Sequence, residues 1–327
     1  MRERGLVIEV EVLSDRCYSC VVLRYRLTFG PFFIAVLIAI FWLDNLLDEV
    51  VLPSGAAEIL GRETLPSGLL LFGFSAIVLP FAGLELTRIL RANGISESAW
   101  LTVVAAEAGL AVHYCLPNSL GGSEAVAVVC TALVMMFVIS LVFYSRGRNV
   151  EGVVAAAGGT MFAMIYLGLM LGFYLSLRRW NSAWLILAIV MITKSCDTGA
   201  YFSGRMFGKH QLIPWLSPKK TWEGLAGGLI LAVGLAVALA LWGRSIGQVE
   251  YQPGKFHQFS FSIWKAALAG VLFGVVGHAG DLTASLLKRD AGIKDSSSIL
   301  PGFGGVLDLL DSPLLVAPLS YWMLSGL

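Results

Sequence analysis

The amino-acid sequence predicts an all-α fold, that of a polytopic transmembrane helical protein with about nine spans. Composition is the first reason, because 57% of the 327 residues are hydrophobic and only 14% are charged, whereas about a quarter of the residues in a soluble domain are charged. The second reason is that the hydrophobic residues occur in long runs, and about 20 apolar residues in a helix cross the hydrocarbon core of a bilayer. The composition therefore excludes an ordinary water-soluble domain.

Nine apolar runs of this kind follow one another along the chain. They lie near residues 27–44, 68–86, 99–117, 124–144, 152–177, 182–203, 224–243, 264–283 and 304–325. The fourth run carries no charge from Ala125 to Tyr144, whereas the sixth, eighth and ninth runs contain charged side chains. Charged groups inside a span are costly in lipid and usually line a polar cavity. We therefore expect the first five runs to be scaffold and a functional site to lie among the later ones.

The distribution of basic residues predicts the orientation of these spans. If the N-terminus lies in the cytoplasm, 16 of the 23 lysines and arginines fall in cytoplasmic segments, 6 fall on the opposite side and Lys194 lies within a span. The positive-inside rule therefore predicts an N-in, C-out arrangement, with Arg178 and Arg179 as exceptions on the outer side. The first 26 residues lack the apolar segment of a cleavable signal peptide, so we expect the first run to be retained.

A charged cluster follows the apolar part of the sixth run. Lys194 and Asp197 are three residues apart, so on a helix they share one face and can form an ion pair. Two interpretations stay open: a structural ion pair that lets a charged helix end lie in the membrane, or an Asp197 carboxylate that faces a polar cavity. Both predict that the two side chains lie together.

The connection before the seventh run contains the segment Ser217-Pro218-Lys219-Lys220-Thr221. Two lysines and two hydroxyls just before a helix are typical of a phosphate site, because ammonium groups and free backbone N–H groups both favour anions. The segment is not a Walker A sequence. The alternative is a basic loop that is attracted to anionic lipid head groups.

A polar stripe continues from the eighth run. If the helix extends that far, Asp281, Ser285 and Lys288 lie at i, i+4 and i+7, and His278 joins the same face. On a helix that is otherwise apolar, such a stripe is expected to face a cavity and not lipid.

Two aspartates begin the ninth run, directly after a glycine-rich turn. Asp308 and Asp311 share a helix face at i and i+3, and no basic residue lies within several positions of them in the sequence. Neighbouring carboxylates repel each other, and a divalent cation would remove that difficulty. Mg²⁺ is typically held by one or two carboxylates together with substrate phosphates, so this pair predicts a cation site.

At these residues the sequence resembles the CDP-diacylglycerol synthase (phosphatidate cytidylyltransferase) family. The family signature near the C-terminus reads S-x-x-K-R-x(4)-K-D-x(5)-P-G-H-G-G-x-x-D-R-x-D. The residues of this chain that stand at its positions are Ser285, Lys288, Arg289, Lys294, Asp295, Pro301, Gly302, Gly304, Gly305, Asp308 and Asp311. The segments that begin at Asp197, Phe207, Ser217 and Gly280 also look like that family, so the resemblance covers about residues 194–312.

The chain departs from the family pattern at three positions. Phe303 stands where the signature has histidine, Leu309 stands where it has arginine, and Ala284 replaces a glutamate that commonly follows Gly-Asp-Leu. Phe303 removes a titratable group, and Leu309 removes a cation beside the paired aspartates.

The resemblance implies an enzyme that transfers CMP from CTP to phosphatidate, giving CDP-diacylglycerol and pyrophosphate. It implies a Mg²⁺ cofactor, with a second cation left open, at Asp281, Asp308 and Asp311. The catalytic residues that it implies are Asp197, Asp281, Lys288, Asp308 and Asp311. The substrate-binding residues that it implies are Ser217, Lys219, Lys220, Thr221, Ser285, Arg289, Lys294 and Asp295.

The apolar runs and the distribution of basic residues, together with the resemblance, predict where the parts of the chain lie and what they contact. Residues 1–26 are predicted to be a cytoplasmic extension, residues 27–180 a transmembrane scaffold and residues 181–327 a transmembrane catalytic region. The active site is expected to face the cytoplasm from the inner membrane of the cell. The expected partners are CTP, phosphatidate and membrane lipid, with no nucleic acid, and a homodimer is left open.

Three alternatives remain at the level of the sequence. The first is a CTP-dependent lipid kinase, or a transferase that acts on another lipid. The second is a non-catalytic family member, which the residues Phe303 and Leu309 motivate. The third is a secondary transporter, because charged residues within spans fit that class as well.

Overall fold

The computed structural model describes residues 30–55, 58, 63–117, 120–146, 150–246, 262–293, 296–297 and 304–324. The predicted extension at residues 1–26 lies outside this described part. So do Lys294 and Asp295, and so does the segment 298–303 with Phe303.

Over its described residues, each of the nine apolar runs forms mainly one helix, which confirms the all-α class. The helices are α1 (Gly30–Leu47), α2 (Leu69–Ala92), α3 (Ala99–Cys115), α4 (Gly122–Ser145), α5 (Val153–Arg178), α6 (Ala183–Phe207), α7 (Trp222–Ile246), α8 (Ile263–Asp290) and α9 (Val306–Leu324). Among the described residues, seven of these helices are long and apolar enough to cross a membrane. Helices α3 and α9 are not among the seven. The chain is therefore an integral membrane protein, while a count of nine crossings and the N-in, C-out orientation stay predictions.

Helix α5 is interrupted by one π-helical stretch, Met164–Leu169, between two α-helical parts. A π-helical turn inserts extra backbone into a helix and re-aims the side chains around it, and such turns occur frequently at functional sites. The apolar periodicity of the fifth run gives no indication of it.

A short β-hairpin joins α6 to α7, where the sequence had indicated only a polar connection. Its strands are β1 (Gln211–Ile213) and β2 (Ser217–Thr221), which pair antiparallel with Gln211 opposite Thr221. Glu223 at the start of α7 fixes the hairpin, because its carboxylate accepts hydrogen bonds from the backbone N–H groups of Lys209 and His210 at 3.1 and 3.2 Å. The segment that was predicted to bind phosphate is therefore a strand held against the helix that follows it.

The core lies between α2, α5, α6 and α9. Leu86 of α2, Leu167 of α5, Ile189 of α6 and Leu314 of α9 are all 1% exposed or less. Helix α4 differs, because only Met136 and Ser140 of its side chains are buried. Its remaining apolar surface has the character of a face that meets lipid.

Glycines allow the C-terminal helices to approach closely. A Cβ atom at Gly228 of α7 would lie 2.6 Å from the backbone oxygen of Cys196 in α6, and one at Gly280 of α8 would overlap the backbone oxygen of Asp311 in α9. Small residues at such crossings are the usual means of close packing between membrane helices. The result is that the polar residues of α6, α8 and α9 lie side by side.

Arg178, one of the two exceptions to the positive-inside rule, is a buried structural residue. Its Nε donates to Asp44 Oδ2 at 2.7 Å and its Nη2 donates to Asp48 Oδ2 at 2.8 Å, with the arginine side chain fully buried. Arg179 donates to the backbone oxygen of Tyr114 at 2.7 Å. Because the rule concerns charges in loops, a guanidinium neutralised by Asp44 of α1 and by Asp48 just after that helix does not oppose the predicted orientation.

Candidate active site

Helix α6 contributes a lysine that lies between two aspartates. Lys194 Nζ lies 3.4 Å from Asp197 Oδ2 and 3.5 Å from Asp311 Oδ1 of α9. The predicted pairing of Lys194 with Asp197 on one helix face is thus confirmed. The Ser312 hydroxyl lies 3.3 Å from Asp197 Oδ2 and 3.1 Å from Asp311 Oδ1, so both carboxylates belong to one group that joins α6 to α9.

Strand β2 contributes Lys220, whose ammonium lies 2.7 Å from Asp281 Oδ2 of α8. The angles at this contact are those of an ion pair and not of a hydrogen bond. Lys220 Nζ therefore has no hydrogen-bond acceptor among the described residues. Successive side chains of a strand point to opposite faces, and Lys219 is accordingly exposed while the Lys220 side chain is only 16% exposed. The two lysines that the sequence treated together are therefore separated, and only Lys220 joins the carboxylates.

Asp308 at the start of α9 is held on both carboxylate oxygens. Lys288 Nζ of α8 lies 2.6 Å from its Oδ1. Its Oδ2 accepts the backbone N–H of Gly305 at 3.0 Å and the Ser296 hydroxyl at 2.8 Å. The bond to Gly305 is that of a helix N3 carboxylate reaching back to the N-cap residue. The orientation of Asp308 is therefore fixed by the start of its own helix and by a lysine from its neighbour.

Asp308 and Asp311 have lysines beside them in the fold, although no basic residue lies near them in the sequence. Lys288 from α8 and Lys194 from α6 each lie against one of them. Both lysines come from other helices, so neighbours along the chain do not reveal them. In the fold, three lysines meet four aspartates, which leaves one excess negative charge at this end of the helices.

The three carboxylates predicted to bind metal do not form a ready-made cage. In the described part of the chain, no group of three or more His, Cys, Asp or Glu side chains could hold a metal ion. Asp281 and Asp311 do lie close enough to interact electrostatically, and Mg²⁺ commonly uses one or two carboxylates while substrate phosphates supply further ligands. The donor set therefore fits a cation that arrives with phosphate, and not one held by protein groups alone.

The other predicted residues differ in how they meet this group. The Thr221 hydroxyl accepts the backbone N–H of Gly224 at 3.0 Å and so stabilises the first turn of α7. Ser217 and Ser285 are half-buried, and Arg289 is exposed beside Lys288. Lys294 and Asp295 lie outside the described residues, so their predicted roles stay predictions.

Position 309, where the family signature has arginine, faces away from the carboxylates. Leu309 is 48% exposed, whereas Asp311 is 3% exposed. Asp308 and Asp311 lie on the inner face of α9, and position 309 follows the helix round to its outer face. The substitution by leucine therefore leaves every ion pair of the site intact.

Glu85 of α2 is a site residue that the sequence analysis missed. It is fully buried and accepts hydrogen bonds from the backbone N–H groups of Val306 and Leu307 at 3.0 and 2.8 Å. A signal existed in the sequence, because Glu85 is a carboxylate near the end of the second apolar run. It was overlooked because that run was assigned to the scaffold.

Tyr166 is a second residue that no sequence signal indicated. It lies in the π-helical stretch of α5, is 2% exposed, and its hydroxyl has no hydrogen-bond partner among the described residues. The phenol lies within electrostatic range of Asp311, Asp281 and Asp308. A buried polar group without a partner is costly, so this hydroxyl is a candidate to meet a ligand of the carboxylate group.

His278 of α8 is also buried beside the site. Its side chain is 6% exposed, and neither ring nitrogen has a hydrogen-bond partner within the described ranges. It interacts electrostatically with Lys220 and Asp281. The histidine therefore lies on the polar stripe of α8, as its spacing predicted.

Comparison with known proteins gives one consistent family. Residues 59–327 match the model of the "Cytidylyltransferase family". A phosphatidate cytidylyltransferase from Staphylococcus saprophyticus is 32% identical over 256 residues, which cover 78% of this chain and 90% of that protein. One from Bacillus subtilis is 32% identical over 65% of this chain and 74% of its own length, and one from Staphylococcus haemolyticus is 34% identical over 58% and 66%.

Proposed function

The chain belongs to the cytidylyltransferase family, and we propose that it transfers CMP from CTP to phosphatidate, giving CDP-diacylglycerol and pyrophosphate in phospholipid biosynthesis. The names of its bacterial relatives support this reaction. The observation that carries the proposal is the meeting of three buried or half-buried lysines with four aspartates at one end of α6, α8 and α9. Such a group of mixed charges suits a substrate that brings several phosphates.

The proposed reaction forms one phosphorus–oxygen bond and breaks another. An anionic oxygen of the lipid phosphate attacks the α-phosphorus of CTP, and the bond from that phosphorus to the oxygen it shares with the β-phosphorus breaks. Pyrophosphate leaves with the electron pair of the broken bond. The attacking oxygen carries its charge already, so the reaction depends on alignment and on neutralisation of phosphate charge, and a strong general base is not needed.

Lys220 and Lys288 are the residues best suited to neutralise that charge. Their side chains are 16% and 12% exposed, so their ammonium groups act in surroundings where electrostatic interactions are stronger than in water. In the absence of substrate each one neutralises an aspartate. We expect these lysines to pair with phosphate oxygens when substrate binds. Ser217 and Ser285, each three residues before one of the two lysines, would add hydrogen bonds to the same phosphates.

A Mg²⁺ ion belongs to the same proposal. Asp281 and Asp311 would hold it together with phosphate oxygens, with Asp308 beside them, and the ion would supply neutralisation of the triphosphate charge. Once Lys220 pairs with phosphate, the Asp281 carboxylate would become available as a ligand. A second cation remains a prediction from the family resemblance.

We place the site on the cytoplasmic side of the inner membrane, where CTP is found. The ends of α2 and α8 lie together, since Asn93 Nδ2 donates to Asp290 Oδ2 at 2.8 Å. The starts of α7 and α9 lie at this same end, through the contacts of Lys220 with Asp281 and of Lys288 with Asp308. Helices that cross the membrane in alternate directions place these four helix ends on one side. The predicted excess of basic residues falls on the same side.

The experiment that tests the function uses purified protein in detergent with phosphatidate, Mg²⁺ and each labelled nucleoside triphosphate in turn. We expect lipid-linked CMP from CTP alone, with pyrophosphate released in equal amount and no product in the presence of EDTA. In a parallel assay with diacylglycerol in place of phosphatidate, transfer of a γ-phosphate from CTP would instead identify a lipid kinase. Absence of product from every nucleotide, with protein that stays monodisperse and folded, would contradict the proposal.

A further inference from the structure

The carboxylate of Glu85 receives three hydrogen bonds from the start of α9 and from the segment before it. Glu85 lies in α2, far from these residues in the chain, and is 0% exposed. The donors are the backbone N–H of Leu307 at 2.8 Å, the backbone N–H of Val306 at 3.0 Å and the Ser297 hydroxyl at 2.5 Å, and the Ser296 hydroxyl lies 3.2 Å away. Both carboxylate oxygens are used.

This arrangement adds a cap supplied by a distant helix to the local contact between Asp308 and Gly305. The first backbone N–H groups of a helix have no partner within it, and a negative charge near them is stabilising. In α9 the partner comes from a residue more than 200 positions earlier in the chain. The start of α9 is therefore fixed relative to α2, and so are the two aspartates that α9 carries.

Ser296 connects this cap to Asp308. Its hydroxyl lies 2.8 Å from Asp308 Oδ2 and 3.2 Å from Glu85 Oε2, and a hydroxyl has only one proton to donate. Glu85 is already satisfied by Val306, Leu307 and Ser297. The proton of Ser296 is therefore available to the shorter contact, and it orients the Asp308 carboxylate.

We infer that Glu85 is a positioning residue for the transfer reaction, which holds the start of α9 so that Asp308 and Asp311 face Lys288 and Lys194. This inference rests on the proposed function. Glu85 acts through the backbone of α9 and through Ser296. The N-terminal helices, which the sequence presented as scaffold, thereby contribute to the geometry of the site.

A matched pair of variants separates this role from general stability. Glu85→Gln keeps the size of the side chain but places an amide donor against backbone N–H groups that need an acceptor. Glu97→Gln is the control, because Glu97 is also buried, at 3% exposure, and lies between α2 and α3 at the same end of the molecule. Its carboxylate accepts from Thr102 and Thr160, both at 2.9 Å, and these residues belong to α3 and α5.

Two measurements on the full-length variants test the inference. Hydrogen exchange of the peptide that contains residues 304–312 should become at least about tenfold faster in Glu85→Gln and stay unchanged in Glu97→Gln. The kcat for lipid-linked CMP should fall about 10- to 100-fold in Glu85→Gln, with KM for CTP changed less than about threefold, because the supporting contact and not a substrate contact is lost. Glu97→Gln should keep its kcat within about threefold.

The outcomes distinguish this inference from the function itself. Unchanged exchange in Glu85→Gln overturns the positioning role, whether or not the protein makes product. A kcat loss of equal size in both variants also overturns it, since the loss then reflects any missing buried charge. Suppose that exchange is faster in Glu85→Gln and that the wild-type protein makes no lipid-linked CMP. This result would support the cap and reject the assigned reaction.

Discussion

At the scale of single residues, Lys219 and Lys220 show how the backbone decides which of two identical side chains takes part. They are neighbours in β2, but only Lys220 reaches Asp281. The sequence identified the pair as a phosphate site and had no means to choose between them. The choice follows from strand alternation, which the sequence analysis did not assign because it expected no strand there.

We predict that Lys220→Met lowers kcat by about 100-fold, because a buried positive charge aimed at developing phosphate charge is lost. Lys219→Met is the matched control and should retain nearly full kcat, since its side chain is exposed. Initial rates of CMP transfer at saturating CTP and phosphatidate provide the measurement. Equal losses in the two variants would show that the inward position of Lys220 has no functional meaning.

Tyr166 leads to a prediction in which stability and activity change in opposite directions. Tyr166→Phe removes a buried hydroxyl that has no partner in the described structure, so the unliganded protein should become more stable and its Tm should rise. If the hydroxyl binds a ligand of the carboxylate group, kcat should fall about tenfold. Thermal unfolding and turnover of the same preparation test both signs, and a lower Tm with unchanged kcat would mean that the hydroxyl has a structural partner.

At the scale of elements, the contact between α8 and α9 depends on the absence of a side chain at Gly280. A Cβ atom at position 280 would overlap the backbone oxygen of Asp311. The backbone cannot move aside as a flexible side chain can. We predict that Gly280→Ala separates α8 from α9 and lowers kcat by at least about tenfold. Gly234→Ala in α7 is the control, because a Cβ atom there meets nothing within 4 Å.

Turnover and Tm of both glycine variants provide the measurement. The expected pattern is a loss of activity and of stability in Gly280→Ala alone. A fully active Gly280→Ala variant would mean that the two helices tolerate a wider separation, and that the distance from Asp281 to Asp311 does not limit the reaction.

The helices of this protein were predictable, while the exceptions within and between them were not. Within the described residues, runs of apolar residues indicated the helices α1 to α9, since length and hydrophobicity alone identify a membrane helix. The hairpin at Gln211–Thr221 contains no alternating apolar pattern, and the π-helical stretch at Met164–Leu169 lies inside an apolar run with no local marker. Both were found only from the fold, and both bring a residue to the site.

At the scale of the whole molecule, the four aspartates of the site were predictable from their type and spacing, but most of their partners were not, and neither were Glu85 and Tyr166. Asp197, Asp281, Asp308 and Asp311 were all identified as polar groups on helix faces. The lysine that each one contacts was foreseen only for Asp197, where the pair lies within one helix. Pairs between helices depend on how the helices pack. The ion pairs of Arg178 with Asp44 and Asp48 were missed for the same reason.

The predicted N-in, C-out orientation can be tested on the whole protein in intact cells. In a cysteine-free background, a cysteine at position 209 should lie in the cytoplasm and one at position 265 should lie outside, as alternation from an internal N-terminus requires. A membrane-impermeant thiol reagent should therefore label Lys265→Cys in intact cells and Lys209→Cys only after permeabilisation. The reverse pattern would contradict the orientation and place the aspartate cluster away from CTP.

The central claim is that the lysine–aspartate group at α6, α8 and α9 carries out CMP transfer, and the Asp308→Asn/Asp311→Asn double variant tests it most directly. Its turnover of CTP and phosphatidate should be measured beside the wild type, with Tm and gel filtration to show that the protein is folded. We expect the product to fall below about 1% of the wild-type amount, because two carboxylates that the phosphate chemistry requires are neutral in the variant. Normal turnover by a folded double variant would contradict the account and move the reaction to another part of the protein.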